Sequence, residues 1–66
     1  MKVSLNGIKK DLPETVKTIP DLLALLKKKP EHMMIEHNTV LVKGVDCKNT
    51  INENDVIEII HFMGGG

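Results

Sequence analysis

The chain closes with a run of mostly apolar residues, 56–63, that passes without a spacer into three glycines, residues 64–66. Val, Ile and Phe favour extended backbone, and a short apolar run bounded by turn residues is typical of a strand covered by a core. Glycine has no Cβ and adopts backbone angles that other residues avoid. The sequence therefore predicts a strong final strand, one domain over residues 1–63 and a flexible glycine tail over residues 64–66.

This tail has two interpretations. A bare carboxylate at Gly66, carried on a tether without side chains, is what another enzyme needs in order to activate and modify that group. The alternative is a solubilising tail or a remnant of cloning. The glycines alone do not decide between them.

Length and composition limit the function classes. Sixty-six residues allow one domain with a small core. The single cysteine excludes an intramolecular disulfide and fits a reducing cytoplasm. Early polar residues argue against a signal peptide, and no segment is long enough to span a membrane. Nine lysines balance nine acidic residues and arginine is absent, so nucleic-acid binding is not expected.

The first twelve residues predict a β-hairpin. Met1, Val3 and Leu5 alternate with other residues, and Asn6-Gly7 is a dipeptide typical of a type I′ turn. The return strand is predicted over residues 8–12.

A helix is predicted next, with Thr18 as its N-cap. Asp21 lies three residues on, close to the capping-box pattern. Apolar residues at helical spacing form one stripe: Ile19, Leu22, Leu23 and Leu26. The lysines 27–29 are expected at the helix end, where positive charge suits the dipole, and Pro30 should stop the helix. A solvated helix end is preferred to a docking patch for an acidic partner.

The rest of the chain completes a recognisable order of elements. Residues 33–37 favour a strand, Asn38-Thr39 a turn and residues 40–42 a return strand, while residues 43–50 look irregular. A second polar turn, residues 52–55, precedes the final strand. This order predicts an α+β domain of the β-grasp, or ubiquitin-like, fold: a mixed sheet of four to five strands with one main helix packed on one face. The final strand should lie centrally, parallel to the first.

The final strand also predicts a partner interface. Side chains alternate across a strand, so Ile57 and Ile59 share one face and the next set shares the other. If Ile57 and Ile59 face the helix, the remaining side chains form an exposed patch that leads into the tail, and exposed apolar patches often mark binding sites. The expected interface consists of Val56, Glu58, Ile60, Phe62 and Met63. The alternative is that a loop covers this face.

Other candidate sites are weaker. His32, His37 and His61 lack the spacing of metal ligands and are interpreted as surface or half-buried residues. Cys47 has no nearby histidine and is interpreted as a loop thiol that function does not require. The Met33-Met34 pair is expected to place one methionine in the core and one on the surface. No nucleotide-binding loop, catalytic triad or acid–base pair is present, so an enzyme is not predicted.

Several short motifs follow one another along nearly the whole chain: Val3-x-Leu5-Asn6-Gly7, Thr18-Ile19 before Leu22-Leu23, Ile35-Glu36-His37-Asn38, Val40-x-Val42, Thr50, Asn54-Asp55-x-Ile57-Glu58-Ile59 and Gly65-Gly66. In this order the chain resembles the ThiS-type sulfur carriers of thiamine biosynthesis. Members usually carry Asp-Gly-Asp before the last strand, where this chain has Glu53-Asn54-Asp55. Asparagine tolerates the left-handed conformation, so we expect the turn to survive. Departures also fall in the loop over residues 43–49.

The resemblance implies a protein substrate, not an enzyme. A ThiF-type adenylating enzyme would use ATP and Mg to activate the Gly66 carboxylate, with Gly64 and Gly65 threading its active site. Sulfur would then give a thiocarboxylate for a ThiG-type thiazole synthase. The chain itself would bind no cofactor or metal and would be a cytoplasmic monomer when free. A molybdopterin carrier, a ubiquitin-like modifier and a plain interaction module remain open, although the short chain favours the thiamine carrier.

Overall fold

The fold is a five-stranded mixed sheet with one helix, seen in a computed structural model of the chain in which residues 1–62 are described. The strand order is β2-β1-β5-β3-β4. The bounds are β1 (Lys2–Leu5), β2 (Ile8–Asp11), β3 (Met33–His37), β4 (Val40–Lys43) and β5 (Val56–His61). β5 lies at the centre, parallel to β1 and antiparallel to β3. The predicted position and direction of the final strand are confirmed.

The first hairpin forms as the Asn-Gly pattern predicts. Asn6 and Gly7 have φ angles of 50° and 81°, the positive values that a type I′ turn requires. The strand β2 ends one residue before the predicted position, but the Leu12 amide still donates to the Met1 carbonyl over 2.7 Å. Local turn chemistry therefore sets the register of this hairpin.

The helix α1 (Ile19–Leu25) begins at the predicted N-cap. The Asp21 amide donates to Thr18 Oγ1 over 3.3 Å, and the Thr18 amide donates to Asp21 Oδ2 over 3.1 Å, which completes the capping box. The Lys17 amide also donates to Asp21 Oδ2, and this bond is the largest of the effects that hold the pKa of Asp21 below its usual value. These bonds satisfy main-chain donors that a helix start leaves unpaired.

The helix ends earlier than predicted. Leu26 is the C-cap, and Lys27 takes a left-handed conformation with φ of 56°. The Lys27 amide donates to the Ala24 carbonyl and the Lys28 amide to the Leu23 carbonyl, the bonding pattern of a Schellman motif. The expectation that lysines 27–29 occupy the last helical turn and that Pro30 stops the helix is therefore wrong. The chain turns away before it reaches Pro30, with lysine in a position that glycine usually takes.

The core lies between α1 and one face of the sheet. Its fully buried side chains come from the helix stripe and from the central strands: Ile19, Leu22, Leu23, Ile35 and Ile57, together with Cys47. Leu26 and Ile59 pack against this core from its rim. The predicted stripe and the inward face of β5 are confirmed, and the opposite face of the sheet has no helix on it among residues 1–62.

Two 3₁₀ turns lie against each other beside the start of β3. The first 3₁₀ turn is Pro30–His32 and the second 3₁₀ turn is Gly44–Asp46, in the segment predicted to be irregular. A Cβ at Gly44 would lie 2.9 Å from the Met33 carbonyl oxygen and closer still to that of Pro30. Only glycine allows this approach of the two turns.

The polar turn before β5 forms with Asn54 in the left-handed region, at φ of 69°. The prediction that asparagine preserves this turn is confirmed. A central strand parallel to the first, two hairpins and a single helix on one face define the predicted β-grasp fold.

Candidate partner-binding face

The side of the sheet away from α1 carries the residues predicted to bind a partner. Val56, Ile60 and Phe62 expose 48, 45 and 40% of their surface, and Glu58 is exposed beside them. Ile57, between Val56 and Glu58, is fully buried. The alternation predicted from the sequence is thus present. We call Val56, Glu58, Ile60 and Phe62 the open-face patch.

The neighbouring strands enlarge this patch by two residues that sequence analysis did not assign to it. Met34 of β3 lies directly opposite Ile60, and Leu41 of β4 lies opposite Glu36, which in turn faces Glu58. Met34 is half-buried and Leu41 is 57% exposed, whereas Met33 is buried as one of the pair was expected to be. Neither strand alternates apolar and polar residues along the sequence, so the pairing register was needed to place these residues together.

Two carboxylates face each other within the apolar surface. Glu36 and Glu58 are directly paired across β3 and β5, where like charges disfavour strand pairing. Neither forms an ion pair within residues 1–62, where the ion pair found joins the Met1 amino group to Asp11. The open face therefore combines exposed apolar side chains with a local negative charge.

A buried polar network lies at the other end of β5. His37 Nε2 is 2.7 Å from Asp55 Oδ2, and the side-chain Nδ2 of Asn49 is 3.0 Å from His37 Nδ1. Asn38 donates to Asp55 Oδ1 over 3.0 Å and accepts from the Val56 amide over 2.8 Å. A neutral imidazole protonated on Nε2 satisfies both ring contacts, since that nitrogen then donates to the carboxylate while Nδ1 accepts.

The network keeps Asp55 ionised. Burial disfavours the charged carboxylate, but hydrogen bonds from the Asn38 side chain, the Asn52 amide and His37 outweigh it and hold the pKa of Asp55 below its usual value. Every buried polar side-chain atom in residues 1–62 has a partner. The polar atoms of His37 and Asp55 are thus all engaged by other protein groups, which suits a structural role.

One sequence interpretation needs correction here. His37 was expected to be a surface or half-buried residue but is 8% exposed, because β3 turns its side chain inward with Met33 and Ile35. Cys47 lies outside the helices and strands, as its interpretation as a loop thiol expected, but it is 1% exposed, since its amide bonds back to the Gly44 carbonyl and the second 3₁₀ turn directs the residue into the core. Whether function requires this thiol stays a prediction.

The remaining candidates add little chemistry. His32 and His61 are exposed, and their rings meet edge to face with centroids 6.2 Å apart. Within residues 1–62, no three His, Cys, Asp or Glu side chains gather as metal ligands would. No helix in this part of the chain is long and apolar enough to cross a membrane. Met63, Gly64, Gly65 and Gly66, which the sequence assigned to the interface and the modified tail, lie outside the described residues.

A helix-backed mixed sheet with an open apolar face along its central strand places the protein in the ubiquitin-like β-grasp class. Within that class, the sequence pattern of the ThiS family matches residues 3–66, and the chain belongs to this family. ThiS-family proteins are small sulfur carriers. The resemblance found in the sequence is confirmed.

Two relatives show how the domain occurs. A thiazole synthase of Magnetococcus marinus is 37% identical over 67 residues, which cover all of this chain and 20% of the relative. The chain thus spans about a fifth of the length of that curated relative. The crystal structure of a thiamine biosynthesis protein (ThiS) from Geobacter metallireducens superposes with a TM-score of 0.80 at 26% identity, covering both chains completely.

Proposed function

We propose that this chain carries sulfur for thiazole formation in thiamine biosynthesis, as a thiocarboxylate at Gly66. The observation that carries the proposal is the ThiS-family match, which extends through residue 66 and includes the glycine run. The open-face patch supports it, because the exposed residues of β5 lead toward that run and offer an activating enzyme a docking surface.

The proposed chemistry activates an unreactive group. A carboxylate is a poor electrophile, so an oxygen of the Gly66 carboxylate attacks the α-phosphorus of ATP bound with Mg by a ThiF-type partner. Pyrophosphate leaves, and the acyl adenylate forms. A hydrosulfide ion, HS⁻, then attacks the acyl carbon and AMP departs, and loss of the S–H proton to solvent leaves the thiocarboxylate. In this proposal ATP and Mg belong to the partner, and the chain itself holds no cofactor.

The glycines suit that role because an acyl adenylate must be shielded from water in a closed site. Gly64 and Gly65 present only main-chain atoms to such a channel, so the folded domain can stay outside while Gly66 reaches the nucleotide. The thiocarboxylate then delivers sulfur to a thiazole synthase. The thiazole synthase relative supports this partnership, since one part of it resembles this chain throughout.

Mass spectrometry and isotope exchange test the proposal directly. The parent chain, first shown by intact mass to end at Gly66, is incubated with a ThiF-type enzyme, ATP, Mg and a sulfur donor. We expect ATP–pyrophosphate exchange and the mass increase of an oxygen-to-sulfur replacement at the C-terminus. A terminus that stays unmodified, or adducts on lysines of other proteins, would contradict it, the latter in favour of a ubiquitin-like modifier.

Two variants show whether the terminus is the working group. Deleting Gly66 retracts the carboxylate by about 3.5 Å, and a misplacement of even about 1 Å can cost a hundredfold in rate. Gly65→Val adds a branched side chain and restricts the backbone. Both should abolish exchange while the circular dichroism spectrum and melting temperature match the parent. Thr15→Val, at an exposed position outside the open-face patch, is the matched control and should be adenylated normally.

A further inference from the structure

The central strand is held unequally on its two sides near its C-terminal end. On the β1 side, the Asn6 side chain replaces a main-chain partner: the Ile59 amide donates to Asn6 Oδ1 over 2.7 Å, and Asn6 Nδ2 donates to the Ile59 carbonyl over 3.4 Å. On the β3 side, pairing continues to Met33 opposite His61. It then reaches Phe62, whose amide donates to the His32 carbonyl over 3.0 Å.

This last hydrogen bond joins the final described residue to the first 3₁₀ turn. The turn is closed by the His32 amide, which donates to the Lys29 carbonyl over 2.9 Å. The edge-to-face contact of the His32 and His61 rings lies beside the same bond. The acceptor is therefore part of a short closed turn and not of an open loop.

The second 3₁₀ turn fixes the first from behind. Gly44 is buried and approaches the carbonyls of Pro30 and Met33, which lie on either side of His32 in the chain. Because a Cβ at Gly44 would collide with both carbonyls, this contact exists only with glycine. It holds in place the backbone that presents the His32 carbonyl to Phe62.

We propose that the His32 carbonyl is a positioning group for the modified terminus. It orients the Phe62 peptide and so sets the direction in which the chain leaves the domain toward Gly66. Phe62 and Gly66 are four residues apart (66 − 62), a span of at most about 14 Å. With so short a tether, the direction of departure decides whether the carboxylate meets ATP in line. This inference rests on the proposed function.

Two substitutions at one residue separate this hydrogen bond from the side chain that docks. Phe62→Leu and Phe62→Pro both remove the aromatic ring from the open-face patch, but only proline removes the amide hydrogen. In ATP–pyrophosphate exchange, both should raise KM for the carrier to a similar degree. Phe62→Pro alone should also lower kcat, by about a hundredfold relative to Phe62→Leu. Equal kcat values for the two variants would overturn the inference.

A chemically synthesised chain offers a cleaner version of this test. Replacing the His61–Phe62 amide by an ester removes the donor but keeps the phenylalanine ring and avoids the rigidity of proline. It should lower kcat with KM unchanged, and a parental kcat for the ester would contradict the inference. Melting curves confirm that each variant remains folded.

Amide hydrogen exchange gives a readout that does not depend on activity. The Phe62 amide of the free parent should exchange more slowly than a solvent-exposed amide, and Gly44→Ala should raise its exchange rate because the first 3₁₀ turn is displaced. An unprotected Phe62 amide in the parent would overturn the positioning role. If the Phe62 amide of the parent is protected but the parent is never adenylated at Gly66, the proposed function is refuted. The hydrogen bond that holds Phe62 to the first 3₁₀ turn would then still stand.

Discussion

The two ends of β5 reverse the usual distribution of side chains. At its start, a charged residue is buried: Asp55 is 7% exposed and bonded to His37 and Asn38. Toward its end, Ile60 and Phe62 are 45 and 40% exposed on a face that carries no helix within residues 1–62. Polar groups inside and large apolar groups outside are the informative departures from ordinary burial.

The comparison separates what stabilises the domain from what is available for binding. The network around Asp55 ties β3, β5 and the preceding turn together through satisfied hydrogen bonds, and such buried networks are costly to break. The open-face patch contributes less to folding because much of its apolar area stays in water. Substitutions at the first end should therefore act on stability, and substitutions at the second end on partner affinity.

The largest effects should come from placing the same charge on opposite faces of β5. Ile57→Lys buries an ammonium group in the core and should cost about 4 kcal/mol or more in the free energy of unfolding, enough to unfold so small a domain. Ile60→Lys should leave the melting temperature close to that of the parent but weaken binding to the activating enzyme by about a hundredfold, because the charge is desolvated on docking.

Thermal melts and calorimetric titration measure the two outcomes. Phe62→Asp should behave like Ile60→Lys, since both side chains share the open face. If the Ile60 and Ile57 variants unfold equally readily, the separation of the two faces is wrong.

A second pair of substitutions compares two acidic residues: Asp55, buried just before β5, and Glu58, exposed on the open face of β5. Asp55→Ala leaves His37, Asn38 and the Asn52 amide without their acceptor and should lower the free energy of unfolding by about 2–4 kcal/mol. Glu58→Ala removes one of two opposed carboxylates and should raise the free energy of unfolding, by less than about 1 kcal/mol. Urea denaturation measures both, and equal losses would mean that the buried network has no special role.

Acid should weaken the Asp55 end of the strand. The pKa of Asp55 is lower in the folded chain than usual, so the folded state favours the ionised carboxylate. The ionised carboxylate stabilises the fold fully at pH values above about 3.9, the pKa of Asp in an unfolded chain. This stabilisation is lost as the pH falls through the lower pKa that Asp55 has in the folded chain. Asp21 acts in the same direction at the helix start.

A series of melts from neutral to acidic pH measures this loss. Asp55→Asn should be less stable at neutral pH and should show a shallower decline in acid than the parent. Parallel curves for the two proteins would contradict the role assigned to Asp55.

The smallest effects concern the turn between β3 and β4, next to the same network. Thr39 has a φ of 76°, which is strained for a β-branched residue, so Thr39→Gly should stabilise the domain by about 1 kcal/mol. Asn38, with φ of 49°, is its matched control: Asn38→Gly also suits the angle but removes the bonds to Asp55 and Val56. Asn38→Gly should therefore lower the free energy of unfolding by about 1–2 kcal/mol. Gains from both glycines would show that these side-chain bonds contribute little.

Short-range features could be predicted from the amino-acid sequence because they depend on neighbouring residues. Asn6-Gly7 specifies a type I′ turn through its tolerance of positive φ, and Thr18 with Asp21 specifies a capped helix start. Alternation along β5 distinguished Ile57 from Ile60, since successive strand residues point to opposite faces. The motifs ending at Gly65-Gly66 indicated the ThiS family in the same way.

Tertiary structure alone decided the features that join distant segments. His37 meets Asp55 across 18 positions of sequence, and no local pattern announces that pairing. The carbonyls of Pro30 and Met33 leave no room for a side chain at position 44, so only glycine fits there. The 3₁₀ turn that begins at Gly44 then directs Cys47 into the core. Backbone preferences act within a few residues, whereas these contacts depend on strand register and on the space left between packed segments.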